Sequence, residues 1–465
     1  MNFTGFLNDN NESIFKNSYV DKTGRKTWWY ATHFQTIGAR QIFPCWDEPK
    51  FKATFHISIK HRKEYTVLSN MNYNRKIYSI NSKMQWTHFD ITPEISTYQV
   101  YFADFRTSDL FVVQIQQQSL RLDNYSIMKP LSSEINIPSE IHSLLSFSYY
   151  TKGPAILRML QHVLTHEIFR KGIEKFRETK SATLNNFYNN MQIVYDREEE
   201  FNMKYFIIED MINSWVINKH YPVLKVTNEI SNLEIEIENY DSLDLKHLWW
   251  IPITVTKQTK LDFTISKNTY YEEWISNEWI QKYFRKSLNF SVEEDEWYII
   301  NLQQIGYYRV NYELKNWQNI ARYLKSTKYT NIHVLNRAQI IDDAYYFVKA
   351  GTLNFSIFLE LTEYLSRETD YIAWYPMFKA LEDISSIFPF QDKKFNVIKT
   401  KILNSLNGLF QNINYDKKLN KKTDDLIDCL KQEANKWACV LSASNCMKTA
   451  EIKLHEYLTN TTENK

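Results

Sequence analysis

Alternating apolar and polar residues predict strands in the first part of the chain. Such runs occur at residues 53–59 (ATFHISI), 64–70 (EYTVLSN) and 97–105 (TYQVYFADF). A period of two residues is typical of strands that bury one face and expose the other. Residues 1–108 are therefore predicted to form a β domain.

Helical periodicity replaces this alternation from about residue 139. The apolar residues that recur on one helical face are Ile156, Leu157, Leu160, Val163 and Leu164. Such a stripe predicts an amphipathic helix. Thr165 is a predicted N-cap for a second helix that continues through Gly172. Residues 109–222 are accordingly predicted to be mainly helical.

The second half of the chain contains a β region followed by a helical region. Short alternating runs lie at residues 223–229, 233–239, 251–257 and 297–304. Short strands separated by polar turns predict a small β-sandwich over 223–310. Repeated amphipathic segments without a strict period predict an α-solenoid-like helical domain over 311–465. The fold class expected from the pattern is thus multidomain α+β.

Length and charge narrow the function classes. A chain of 465 residues is too long for one core. With 56 basic and 54 acidic residues, the net charge of +2 favours neither nucleic acid nor an anionic membrane as partner. No run of about 18 apolar residues exists, so no membrane-spanning segment is predicted. Neither end resembles a signal peptide or a lipid anchor, and the compartment stays unknown.

Four segments of the chain carry motifs of a known family. The longest is WWYATHFQTIGARQIFPCWDEP at 28–49, and SYYTKGPAILRML follows at 148–160. The third joins GYYRVNY at 306–312 with RAQIIDD at 337–343, and the fourth is Trp437-Ala-Cys with Cys446. In this order the four segments resemble the aminopeptidase N family of zinc metallopeptidases. The resemblance implies an N-terminal β domain, part of a thermolysin-like (gluzincin) peptidase domain, a β-sandwich and a helical C-terminal domain.

The resemblance also assigns roles to individual residues. It implies that Tyr150 stabilises the oxyanion of the tetrahedral intermediate and that Gln35 holds the free amine of the substrate. It implies a disulfide between Cys439 and Cys446, provided that the protein is extracellular or at the cell surface, as the family is. The alternatives are that Tyr150 packs at a helix start, that Gln35 is a turn residue, and that both cysteines are thiols in a reducing compartment.

The motifs that hold zinc in this family are missing from the sequence. The family carries a Gly-x-Met-x-Asn loop, a His-Glu-x-x-His helix and a downstream Glu ligand between the segments that resemble 98–106 and 109–120. Here those two segments meet within about three residues. None of the 11 histidines begins the His-Glu-x-x-His pattern, and none of the eight glycines begins the loop motif. The chain also begins and ends inside family domains, so we expect shortened termini.

Two near matches to the zinc motif lie around His162 and His166, and neither predicts a metal site. His162 and His166 are four residues apart without the required Glu, while His166-Glu167 is followed by Arg170 where a ligand should stand. Arg170 stays protonated and cannot bind a metal. We expect Thr165 to place the two histidines on different helices, as a solvated pair. No cofactor is expected in this chain, although the family uses Zn²⁺.

The sequence therefore predicts an aminopeptidase N-like protein that is catalytically inactive and retains a surface for a peptide or protein ligand. Two alternatives stay open. The chain can be an incomplete gene model or splice form of an active zinc metalloaminopeptidase that removes N-terminal amino acids from peptides. It can also be a non-enzymatic interaction scaffold built on the sandwich and the helical stack.

Overall fold

The fold is known from a computed structural model. It describes residues 13–20, 26–34, 39–46, 48, 51–62, 67, 69–71, 73–78, 83–96, 107–123, 130–132, 147–179, 183–197, 206–229, 232–238, 249–264, 285–387, 396–413, 425–443, 451 and 455. The chain divides into two compact units. The smaller unit comprises Met1–Thr107 with Thr179–Ala182, and the larger unit comprises Ser108–Glu178 with Thr183–Lys465.

The described part of the smaller unit is built from antiparallel strands. Their bounds are β1 Ser13–Val20, β2 Lys26–His33, β3 Ser58–Arg62, β4 Tyr73–Tyr78 and β5 Met84–Phe89. Strands β1 and β2 pair with each other, and the other three form a sheet in the order β3-β5-β4. A short 3-10 helix lies at Ala39–Gln41.

The strand predicted at 53–59 is wrong over most of its length. Strand β3 starts only at Ser58, and Ala53 makes a single bridge to Ile95. The physical reason is that this segment bonds to a loop: the Phe55 main-chain nitrogen donates to Thr92 Oγ1 at 2.8 Å. No strand covers the described residues 67, 69 and 70 of the second predicted run. The third predicted run, 97–105, lies outside the described residues.

The larger unit begins with helices. Their bounds are α1 Thr107–Leu110, a π-helical segment Phe111–Gln116, α2 Gln117–Leu122, α3 Phe147–Leu164, α4 His166–Arg177, α5 Leu184–Arg197 and α6 Ile208–Val216. The predicted break at Thr165 is confirmed, because this residue has a φ of 73° between α3 and α4. Its side chain makes no capping hydrogen bond, so the main chain alone ends α3.

Two sheets follow these helices. Their strands are β6 Val223–Glu229, β7 Asn232–Ile237, β8 Val255–Lys257, β9 Arg285–Leu288, β10 Tyr298–Ile300 and β11 Arg309–Tyr312. One sheet has the order β11-β6-β7-β9, in which only β11 and β6 are parallel, and the other pairs β10 with β8. The run predicted at 251–257 is strand only from Val255 to Lys257.

The rest of the larger unit is helical. Its helices are α7 Leu314–Lys325, α8 Val334–Lys349, α9 Phe355–Thr362, α10 Tyr371–Ile387, α11 Asn396–Asn412 and α12 Asp425–Val440, with 3-10 turns at Leu302–Gln304, Tyr329–Asn331 and Glu363–Arg367. None of the helices in the described part of the chain is both long enough and apolar enough to cross a membrane.

A large hydrophobic core runs through the larger unit, in addition to a small cluster that includes Val112, Val113 and Ile372. Its largest fully buried side chains come from both helices and sheets, and include Trp215, Trp249, Trp297, Trp317 and Trp374. Such continuity means that helices α2 to α6 pack on the same core as the sheets and the later helices. The architecture is therefore mixed α and β, with an N-terminal β region and a C-terminal helical region.

Candidate functional site

Tyr150 lies in the first turn of α3 and points away from the core. Its side chain is 39% exposed, whereas Thr151 and Lys152 next to it are buried. Residues two positions apart lie on opposite sides of a helix, so burial of Lys152 turns Tyr150 outward. Partial burial raises the pKa of the Tyr150 hydroxyl, which keeps it a proton donor at neutral pH.

Lys152 fixes the position of this helix start. Its ammonium lies 2.9 Å from Asp123 Oδ2, and both side chains are 2% exposed. It also donates to the carbonyl oxygens of Asn218 at 3.1 Å and His220 at 2.9 Å. Burial lowers the pKa of Lys152, and the charge of Asp123 opposes that shift. Removing one partner of such a buried pair typically costs about 3–5 kcal/mol, so Lys152 anchors the segment that presents Tyr150.

Of the other residues that the family resemblance assigned, only Cys439 lies in the described part of the chain. Gln35 and Cys446 lie outside the described residues. Cys439 is disulfide-bonded. The roles of Tyr150 and Gln35 and the pairing of Cys439 with Cys446 stay predictions.

His162 and His166 lie on α3 and α4, the two helices that Thr165 separates. The expected solvated pair is wrong for His162, which is only partly exposed, while His166 is exposed. Burial, with the nearby charges of Arg158 and His166, lowers the pKa of His162 to about 4. His166 Nδ1 lies 2.7 Å from Gln161 Nε2, in a hydrogen bond within the protein.

These donors do not fit the zinc of the family. A catalytic zinc site needs three protein ligands and one open position. Among the described residues, no group of three or more His, Cys, Asp or Glu side chains is arranged to hold a metal ion. His162 and His166 together supply at most two ligands.

The two halves of the third family segment meet in a buried charge cluster. Arg309 Nη1 lies 2.8 Å from Asp342 Oδ2 and 2.7 Å from Asp343 Oδ1, with all three side chains at most 2% exposed. Arg121 of α2 donates from Nε to Asp342 Oδ1 at 2.8 Å. The cluster therefore joins α2, β11 and α8.

Burial and the neighbouring positive charges have opposite effects on the pKa values of the two aspartates in this cluster. Burial pushes the pKa of Asp342 upward, but Arg121 and Arg309 outweigh it and hold that pKa below its ordinary value. At Asp343 burial is the larger effect, and it raises the pKa to about 7 against the pull of Arg309. The sequence carried both motif halves, but nothing in it showed which atoms pair.

A second polar cluster holds the turn between β10 and β11. Three residues of this turn, Asn301, Gln303 and Gln304, have positive φ angles. Arg158 of α3 donates to the carbonyl oxygens of Gln303 at 3.0 Å and Gln304 at 2.8 Å. Gln116 of the π-helical segment donates to the Gln304 carbonyl at 2.7 Å. These donors bind main-chain oxygens, so the cluster stabilises an unusual turn and contains no nucleophile paired with a base.

Comparison with known families gives three matches along the chain. The Peptidase M1 N-terminal domain matches residues 1–99, and the Peptidase family M1 domain matches residues 82–215. The ERAP1-like C-terminal domain matches residues 297–465. The three matches follow one another in the order that the sequence segments suggested.

Individual relatives agree with this assignment. Aminopeptidase N of Plutella xylostella is 26% identical over 357 residues, which cover 71% of this chain and 37% of the relative. Aminopeptidase N of Rattus norvegicus is 27% identical over 293 residues, which cover 60% of this chain and 29% of the relative. Glutamyl aminopeptidase of Sus scrofa is 24% identical over 614 aligned positions, which cover 99% of this chain and 62% of the relative. The chain thus spans less than two thirds of each of these relatives.

The alignment with glutamyl aminopeptidase also leaves many internal positions of that relative unpaired. It covers 614 positions, whereas the chain has 465 residues, so at least 149 aligned positions have no residue of this chain opposite them. These positions lie between the first and last paired residues. Taken together, the three family matches, the relatives and the ordered sequence segments show that the chain belongs to the aminopeptidase N-like M1 peptidase family.

Proposed function

We propose that this chain is an aminopeptidase N-like protein that does not hydrolyse peptides and that retains binding of a peptide or protein ligand. The observation that supports it is the absence of both the His-Glu-x-x-His and the Gly-x-Met-x-Asn patterns from all 465 residues. The segments that flank these motifs in the family are present and in order, so the positions missing between them include the part that performs the chemistry.

Zinc in this family would polarise the scissile carbonyl and lower the pKa of a bound water. The residues of this chain perform only accessory steps of such a reaction. The Tyr150 hydroxyl can donate a hydrogen bond to a developing oxyanion, and the Lys152–Asp123 pair fixes the helix that carries it. Neither group produces a nucleophile, so Tyr150 would at most orient a bound carbonyl group.

Zinc binding by the purified full-length chain tests this proposal. Equilibrium dialysis against zinc followed by elemental analysis is expected to leave far less than one tightly bound ion per chain. The matched control is the His162→Ala variant. It should bind the same small amount of zinc as the unaltered chain, because the His162 imidazole is not expected to be a zinc ligand. One zinc per chain that a chelator removes, and that His162→Ala lacks, would overturn the proposal.

The unpaired internal positions favour a second candidate function, that of an active zinc aminopeptidase of which this chain is an incomplete form. At least 149 positions of glutamyl aminopeptidase lack a counterpart here, which is ample for the missing motifs. Long transcript reads across the codons for Arg106 and Asp109 distinguish the two. An inserted reading frame that encodes His-Glu-x-x-His supports the second candidate. If every read joins the two codons through the short junction, the result supports the first.

The finer architecture is proposed on the same family basis. We assign an N-terminal β domain to 1–108, a remnant of the peptidase domain to 109–222, a β-sandwich to 223–310 and an α-solenoid-like domain to 311–465. The sheet order β11-β6-β7-β9 beside the β10-β8 pair supports the sandwich. Limited proteolysis is expected to cut first near residue 108, where the chain passes from one compact unit to the other. The boundary at 310 lies inside the buried strand β11 and should stay protected. Early cuts inside 223–310 or 311–387 would contradict the assignment.

A further inference from the structure

The sheet β3-β5-β4 of the smaller unit has an unusual charge composition. Its three strands, SIKHR, YNRKIY and MQWTHF, contain four Lys or Arg residues and two histidines but no Asp or Glu. The whole chain has nearly equal numbers of acidic and basic residues. The positive charge of this sheet is therefore a local feature that the net charge of +2 conceals.

Strand β5 has one buried face and one outward face. Gln85, Thr87 and Phe89 are buried, which places the side chains of Met84, Trp86 and His88 on the opposite face. Trp86 lies at the centre of that face and is 41% exposed. A large aromatic side chain exposed on a central strand is a common feature of binding surfaces.

Basic and polar groups surround Trp86. The Lys60 ammonium lies 5.9 Å from the Trp86 ring centroid, and the His88 ring stacks beside Trp86 at 6.1 Å with planes 18° apart. Ser58 Oγ lies 2.7 Å from His88 Nδ1, which fixes the imidazole. The strand ladder pairs Lys60 directly with Trp86, so the lysine and the indole share one face.

The register shows two more basic positions on the strands that flank β5. Arg62 of β3 pairs with Met84, and Arg75 of β4 pairs with His88. Residues that pair directly across antiparallel strands lie on the same side of a sheet. Basic positions therefore occur on both strands that flank β5.

We propose that this outward face binds an acidic polypeptide segment, with a carboxylate at Lys60 and an apolar side chain against Trp86. Lys60 already occupies one face of the indole through a cation–π contact. A sugar ring or a nucleic acid base that stacks on this face of the indole would have to displace the lysine, whereas a carboxylate pairs with it in place. Base-stacking surfaces also present successive aromatic rings, and Trp86 is the one exposed indole on this face in the described part of the sheet.

This surface lies in the smaller unit, so the proposal goes beyond the loss of hydrolysis and does not depend on it. The test uses the full chain and a fluorescein-labelled peptide of alternating Glu and Leu, with binding followed by fluorescence anisotropy. A peptide with Gln in place of Glu is the ligand control. We expect the Glu peptide to bind more tightly than the Gln peptide, and its affinity to fall as salt is raised from low to physiological ionic strength.

Two variants with matched controls locate the binding. Lys60→Glu and Trp86→Thr are each expected to weaken binding of the Glu peptide by about threefold to tenfold, the range for an exposed ion pair together with a cation–π contact. The controls are Lys260→Glu, an exposed lysine of the larger unit, and Trp46→Thr, an indole that is 74% exposed outside the sheet. Both controls should bind like the unaltered chain.

Three results would overturn the proposal. The first is equal binding of the Glu and Gln peptides, and the second is unchanged binding by Lys60→Glu. The third is tighter binding of a heparin fragment or a single-stranded oligonucleotide that depends on Lys60 and Trp86, which would assign the face to another class of partner. Circular dichroism melting of each variant separates loss of binding from loss of folding.

Discussion

Replacing Arg309 with methionine is expected to destabilise the larger unit more than any single surface change. The substitution keeps most of the buried volume but removes the contacts to Asp342 at 2.8 Å and Asp343 at 2.7 Å. It also removes the donor to Tyr221 Oη at 3.2 Å and the cation that lies 4.6 Å from the Tyr346 ring centroid. Breaking a buried pair typically costs about 3–5 kcal/mol.

The surroundings of the two aspartates place the expected cost near the lower end of that range. Asp342 keeps its bond from Arg121 Nε at 2.8 Å. Asp343 has a pKa of about 7, so near neutral pH it can take up a proton and avoid a buried unpaired charge. We therefore expect a loss of about 3 kcal/mol in the free energy of unfolding at pH 7, and a larger loss at pH 8 because protonation of Asp343 then costs more.

Urea unfolding followed by helical circular dichroism measures this effect. Arg322→Met is the matched control, because Arg322 is 62% exposed and its distance to Asp295 Oδ1 is 3.8 Å. An exposed pair of this kind contributes about 0–1 kcal/mol. If the two variants unfold within about 1 kcal/mol of each other at both pH values, the buried charge cluster does not stabilise the fold and the reasoning is refuted.

Two further predictions concern packing and pH. Gly306→Ala should lower the free energy of unfolding by about 1–3 kcal/mol, because an added methyl group would overlap the Tyr308 ring. Gly153→Ala is the control and should be neutral or slightly stabilising, because no atom lies within 4 Å of the added methyl group. Equal melting temperatures of the two variants would contradict this prediction. The pKa of His162 is lowered to about 4. Its contribution to stability is therefore complete above about pH 6.5, the unfolded value, and is lost as pH falls toward 4. An NMR titration midpoint for His162 near its ordinary value would refute that prediction.

Local signals in the sequence were sufficient where one physical effect dominates. The alternation of Leu233, Ile235 and Ile237 predicted β7, and these side chains are buried in the structure. The break at Thr165 was predicted from an N-cap signal, although the side chain makes no cap and the main chain produces the break. In both cases a short-range pattern carried the information.

Tertiary contacts decided the elements that sequence patterns did not predict. The run at 53–59 alternates like a strand, but up to Ile57 its main chain bonds only irregularly, to Phe89 at the end of β5 and to Thr92 and Ile95 in the loop beyond it. The buried cluster of Arg309, Asp342 and Asp343 joins residues more than thirty positions apart, and no periodicity predicts such a pairing. The outward face around Trp86 also required the strand register before its charge composition could be recognised.

The most direct test of the central claim is release of an N-terminal amino acid from an aminoacyl chromogenic substrate by the purified full-length chain with added zinc. The account predicts a rate equal to that of buffer with zinc alone, unchanged by a chelator, because no residue pattern of this chain holds the ion that activates water. Turnover that requires zinc and stops on chelation would contradict it.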